Sequence, residues 1–154
     1  MTELEHPIID ESVRYILRGP HLSVLATTGP DGRPQTSVIF VKQDGDEILF
    51  STIKGRRKTI NMMRDTRVNL LIHGLPPDRP NYSGDGPNYV AISGTVELTD
   101  DPGGAFHEEM YGLHMGGATP PPEPGAQRVT VRIAPQRIYA PAFPGFPNSS
   151  QEQT

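Results

Sequence analysis

Apolar positions along this chain recur with two different periods, and the switches between them lay out its elements. Ile9, Val13, Ile16 and Leu17 fall on one face at helical spacing, so residues 8–18 read as a short amphipathic helix that Gly19-Pro20 stops. The period then drops to two. Leu22, Val24 and Ala26 share one face of a strand over 21–28, the Pro/Gly run 29–34 is a turn by its chemistry, and 35–42 returns as the second arm of a hairpin. Asp44-Gly45 signals the next turn, before a strand over 47–52. A helix is predicted over 56–65 with Ile60 and Met63 inward, then strands over 66–73, 89–98 and 128–139. A further helix over 103–115 has Thr99 or Asp100 as its expected cap. Segments 74–88 and 116–127 are rich in proline and glycine and carry no regular period.

Six short strands with hairpin-type turns, and helices at the connections, make the expected fold mainly β (α+β). The architecture they suggest is a six-stranded antiparallel barrel with peripheral helices. The length of 154 residues suits one domain, 1–140, followed by a loose proline-rich tail over 141–154. The chain has no cysteine, which excludes disulfides, thiolate metal ligands and cysteine nucleophiles. Its histidines are dispersed and lack supporting carboxylates, so no metal site is expected. A net charge of -4 gives no global field for nucleic acid. No apolar run approaches the roughly 18 residues of a membrane span. The N-terminus shows neither the basic nor the apolar region of a signal peptide, and a cytoplasmic location is the expectation.

Against this acidic background one segment stands out. Between Phe50 and Thr59 two hydroxyls, Ser51 and Thr52, and four cations, Lys54, Arg56, Arg57 and Lys58, surround Gly55 where a strand gives way to a helix. Positive side chains in a first helical turn oppose the helix dipole by a few tenths to about 1 kcal/mol each, which a bound anion offsets. Arginine also grips phosphate bidentately. By itself the run reads equally as an anion trap, a solvated charge cluster or a nucleic-acid patch.

Its neighbours add a resemblance. The stretches 22–38, 50–70 and 89–102 resemble the split β-barrel flavin and deazaflavin proteins, the pyridoxamine 5'-phosphate oxidase-like superfamily with its F420-dependent reductases. The segment 50–70 is the most specific of the three, and Thr66 stands where that pattern usually has proline. The resemblance implies an FMN-binding-type split barrel and an oxidoreductase. It implies that Ser51, Thr52, Arg57 and Lys58, joined by Arg56, hold the cofactor phosphate, and that Thr36, Ser37, Val38 and Ile39 run along the ring system. Lys54 adds a cation suited to the carboxylate tail of coenzyme F420. F420 is therefore the expected cofactor and FMN the alternative.

The implied reaction is hydride transfer to an activated C=C or C=N bond of a small molecule. The competing readings are an FMN-dependent reductase or oxidase and a non-catalytic flavin or deazaflavin carrier. Candidate proton donors are His73, Tyr89, His107, Tyr111 and His114, of which the last three share one helix face. The segment 74–88, with Tyr82, is a candidate lid. The family usually forms a homodimer with the cofactor at the interface, and the apolar strands 67–72 and 129–133 suit a partner.

Overall fold

The computed structural model describes residues 9, 11–17, 22–73 and 89–140. The expected lid over 74–88 and the tail over 141–154 lie outside them. Elements run in the order α1 (Glu11–Leu17), β1 (Leu22–Thr28), β2 (Pro34–Phe40), β3 (Lys42–Asp44), β4 (Glu47–Ile53), α2 (Arg57–Arg64), β5 (Arg67–His73), β6 (Tyr89–Asp100), a 3-10 turn (Pro102–Gly104), α3 (Ala105–His114) and β7 (Arg128–Tyr139). None of these helices is long and apolar enough to cross a membrane.

The sheet holds seven strands rather than the six expected, because the predicted second arm over 35–42 breaks at Val41 and its end becomes β3. All neighbouring pairs are antiparallel, in the order β2-β1-β5-β6-β7-β4-β3. The two edge strands, β2 and β3, are separated in sequence by Val41 alone. Ends that one residue joins cannot lie at opposite sides of a flat sheet. The sheet curls, β2 comes against β4, and the result is the split half-barrel.

Its interior is filled by alternation, interrupted on β4, where Leu49 is buried as well as Ile48 and Phe50. Ile48 and Phe50 of β4, Val68, Leu70 and Ile72 of β5, Val90, Ile92 and Val96 of β6, and Val129, Val131 and Ile133 of β7 all face inward. The apolar residues of 129–133 are thus committed to the core and offer nothing to a partner. On β1 the face is opposite to the one apolarity suggested: Ser23, Leu25 and Thr27 are buried, whereas Leu22 and Val24 are 60% and 37% exposed. Helix α1 adds Val13, Ile16 and Leu17 to the same core and packs on β5 and β6.

Strand β6 meets β7 with a register break between Ser93 and Gly94. Here the backbones approach so closely that a Cβ on Gly94 would stand 2.4 Å from the Ala134 carbonyl oxygen and 3.0 Å from Ile133 Cγ2. Backbone cannot yield as a flexible side chain can, so Gly94→Ala has to spread the two strands. We expect this substitution to lower the unfolding free energy by about 1–3 kcal/mol in chemical denaturation. An unchanged midpoint would show that the pairing relaxes there.

Candidate functional site

The basic turn between β4 and α2 is held in place from both sides. Gly55 has φ 92°, in the left-handed region that glycine occupies without strain, and turns the chain off β4. Arg56 is the N-cap of α2 but makes no side-chain cap. Thr59, fully buried in the first turn, donates to the Ile53 carbonyl (2.9 Å) and lies 3.1 Å from the Thr52 hydroxyl, tying the helix start to β4. One residue further along the buried side, Asn61 Nδ2 donates to Thr27 Oγ1 (3.1 Å) and Gln35 Oε1 (3.0 Å), while Arg64 donates to Asn61 Oδ1 (3.0 Å) and to the Thr28 carbonyl. This network fixes α2 on the β1–β2 hairpin.

The buried positions of α2 are accordingly Thr59, Asn61 and Met62, and the expected inward residues Ile60 and Met63 are 51% and 64% exposed. Polar anchoring to two strands outweighs the apolar stripe. The helix exit is locked as well. Asp65 Oδ1 accepts from the Arg67 N–H and Nε, and Oδ2 from Nη2 at 2.8 Å, bonds that hold the Asp65 carboxyl at about 2. Thr66 supplies its carbonyl to the Val96 N–H, a group that the more usual proline also carries.

Three cations converge beside this turn. Arg56 and Lys58 from α2 and Arg128 from the start of β7 line a recess of about 170 Å³, with Ser51 of β4 at its wall and Val38, Ile39 and Phe40 of β2 along one side. Helix α3 closes it with His107, Met110 and Tyr111. Burial, then the neighbouring Arg56 and Arg128, push the Lys58 ammonium below its ordinary value. The Ser51 hydroxyl is buried without a hydrogen-bond partner among the described residues, a condition shared by Ser23 and Ser37 away from the recess. A buried hydroxyl left unpaired costs about 1–3 kcal/mol, and an oxyanion in the recess would satisfy this one. The donor set therefore fits a phosphate.

The sequence-predicted residues divide. Val38, Ile39, Ser51, Arg56 and Lys58 come together in the recess. Thr52 is fully buried and faces Thr59 rather than the recess. Thr36 and Arg57 are exposed, Ser37 turns inward from β2, and none of the three lines it. Lys54 lies 3.9 Å from Asp100 at a neighbouring, larger recess of about 560 Å³. Of the candidate proton donors, His107 and Tyr111 reach the small recess, 6.1 Å apart edge to face. His114 instead stacks on Phe40 at 4.5 Å, and Tyr89 sits by Tyr139. The His73 side chain lies outside the described atoms.

Arg128 escaped the sequence reading. It alternates with Val129 and Val131 just as Arg132 does, and only the fold distinguishes them: Arg132 pairs with Asp44 and Glu47, whereas Arg128 points between the two recesses. The expected caps of α3 are also replaced. Asp101, not Thr99 or Asp100, accepts from the N–H groups of Phe106 (3.3 Å) and His107 (3.1 Å), which sets His107 toward the recess.

With this geometry in view, comparison with known proteins decides the family. The model of the pyridoxamine 5'-phosphate oxidase family matches residues 9–140. The chain belongs to that family. Two curated relatives are pyridoxine/pyridoxamine 5'-phosphate oxidases. One, from Cupriavidus metallidurans, is 29% identical over 93 residues, 60% of this chain and 40% of its own. The other, from Cupriavidus pinatubonensis, is 31% identical over 100 residues, 64% of this chain and 43% of its own. The chain thus spans about two fifths of the length of these family members. Among solved structures it is similar to an F420 reductase, with 29% identity, a TM-score of 0.72, and coverage of 85% of this chain and 98% of that one. A conserved hypothetical protein of Mycobacterium tuberculosis shares the fold at 23% identity and TM-score 0.63, over 90% of this chain and 88% of that one.

Asn61 joins the helix that carries the cations to the strands that carry the hydroxyls. Asn61→Ala removes one buried and two part-buried hydrogen bonds and takes a partner from each of Thr27, Gln35 and Arg64. Unfolding monitored by circular dichroism should show a loss of about 1–3 kcal/mol, and no loss would mean that Thr59 and Met62 suffice to anchor α2.

Proposed function

We propose that this protein is an oxidoreductase that binds coenzyme F420, holding its phosphate in the small recess with Lys58, Arg56 and Arg128 and the Ser51 hydroxyl. The observation that carries this reading is the convergence of three cations and an unpaired buried hydroxyl on one recess, in a chain similar to an F420 reductase along nearly all of that protein. When bound, reduced F420 supplies a hydride to an electron-poor C=C or C=N bond of a small molecule. The protein's share is position and dryness, with Val38 and Ile39 setting one wall. FMN, with the same phosphate handle, remains the second reading, favoured by the oxidase relatives.

About 170 Å³ is small beside the roughly 300–1,000 Å³ of sites that enclose a whole ligand. A ring system held at its phosphate end must extend past Val38. There the outer face of the sheet presents a cross-strand row: Val38 faces Val24, Val24 faces Leu71, Leu71 faces Ala91, and Ala91 faces Tyr139. Val38, Leu71 and Tyr139 are 60%, 41% and 53% exposed. This row, continuous with the recess, supports a homodimer whose second copy completes the cofactor site.

Two measurements test the reading. Titration should show binding of F420 and no retention of FMN, and Lys58→Ala should weaken it about ten- to a hundredfold, from about 1.5–3 kcal/mol for a charged hydrogen bond. A protein that purifies yellow with FMN would transfer the assignment to flavin. Leu71→Asp should give a monomer by light scattering that has lost most of its cofactor affinity; a variant that stays dimeric would remove this face from the interface.

A further inference from the structure

His107 occupies the wall shared by the two recesses, as does Arg128. Five charged groups on four elements lie near its ring: Arg56 and Lys58 from the α2 turn, Arg128 from β7, Glu123 from the 116–127 loop and Asp101 from just past β6, with Tyr111 on its own helix. Glu123 is divided between the two basic groups. It accepts from Arg128 Nε at 3.0 Å and from Nη2 at 2.6 and 2.7 Å, while its Oε2 lies 3.8 Å from His107 Nε2. The Arg128 side chain is 11% exposed and that of His107 17%, so neither is well served by water.

We propose that Glu123 is an internal counter-ion that anion binding hands from Arg128 to His107, so that anion binding is coupled to proton uptake at the site. The proposal rests on the small recess being an anion site. An incoming oxyanion competes for the Arg128 guanidinium that Glu123 now fills. Glu123 needs to move by only about an ångström to meet His107, the difference between its 3.8 Å separation and an ordinary hydrogen bond of roughly 2.8 Å. That contact strengthens when the imidazole is protonated, because the neutral Nε2–H tautomer offers a hydrogen bond but no charge. Burial, followed by Arg128, holds the ring below its ordinary value; Glu123 and Asp101 pull the other way, and Arg56 lowers it again. An anion on Arg128 and Arg56 cancels the two cationic causes and releases Glu123 to supply the missing carboxylate. Anion and proton then stabilise one another, and by reciprocity the anion binds more tightly as pH falls.

Inorganic sulfate is the probe, because it keeps its charge across the titration. The ring of His107 is followed by NMR on histidine-labelled protein as pH is varied, without and with saturating sulfate, and its signals are assigned from His107→Gln. The midpoint should rise by about one pH unit with sulfate, and sulfate affinity should fall about tenfold between about pH 5.5 and about pH 8. In His107→Gln that dependence should flatten. If the variant does not fold, backbone-to-ring correlation assigns the His107 signals and the wild-type titration decides. Sulfate that binds without moving the His107 midpoint overturns the proton exchange and leaves the anion recess intact. Sulfate that does not bind, or binds Lys58→Ala equally well, overturns the recess and the exchange together.

Discussion

The link at Val41 governs the arrangement of the site. One buried residue separates the strand at one edge of the sheet from the strand at the other. In the order of pairing β2 and β4 are five places apart, yet this link sets them side by side. That adjacency places Val38, Ile39 and Phe40 across from Ser51 and builds the recess. Without the curl the cations of α2 would look onto open solvent. With it they face a strand, a helix and a third cation from β7.

Bringing like charges together is unfavourable, and the protein manages the repulsion in two ways. The helix that bears two of the cations is bolted down by neutral hydrogen bonds, through Thr59 to β4 and through Asn61 to the hairpin, so repulsion cannot swing it outward. The third cation, Arg128, is met by Glu123, whose own carboxyl that bond pulls below its ordinary value. Lys58, held below its ordinary value first by burial and then by Arg56 and Arg128, is the cation that an anion in the proposed site would favour most.

Much of the barrel was legible because alternation of apolar and polar residues has one interpretation when the inward side is dry. Strands β4 to β7 follow that rule, apart from Leu49, and stood out in the sequence. The rule failed where burial is polar. Ser23, Thr27, Thr59 and Asn61 are buried, and apolar reading assigned the opposite face of β1 and the wrong stripe of α2. The same chemistry misled the reading of β1 from the other side, since Leu22 and Val24 belong to an outer face with its own apolar row. For the site, the run from Ser51 to Lys58 was visible because its residues are neighbours in the chain. Arg128 was not, since a cation's distance in space from that run is set by strand pairing and leaves no trace in local composition.

Ile53 pairs with Arg128, 75 positions later in the chain. The two halves of the anion recess are thus among the most widely separated partners in the molecule, and closing that loop is an entropic cost met by the sheet rather than by any ligand. A chain emerging from the ribosome carries the basic turn long before it carries Arg128. On the proposed reading, that turn can attract an anion early but cannot enclose one until β7 has been made. An anion bound there would stabilise the folded state by mass action but would find no complete site before β7 is in place.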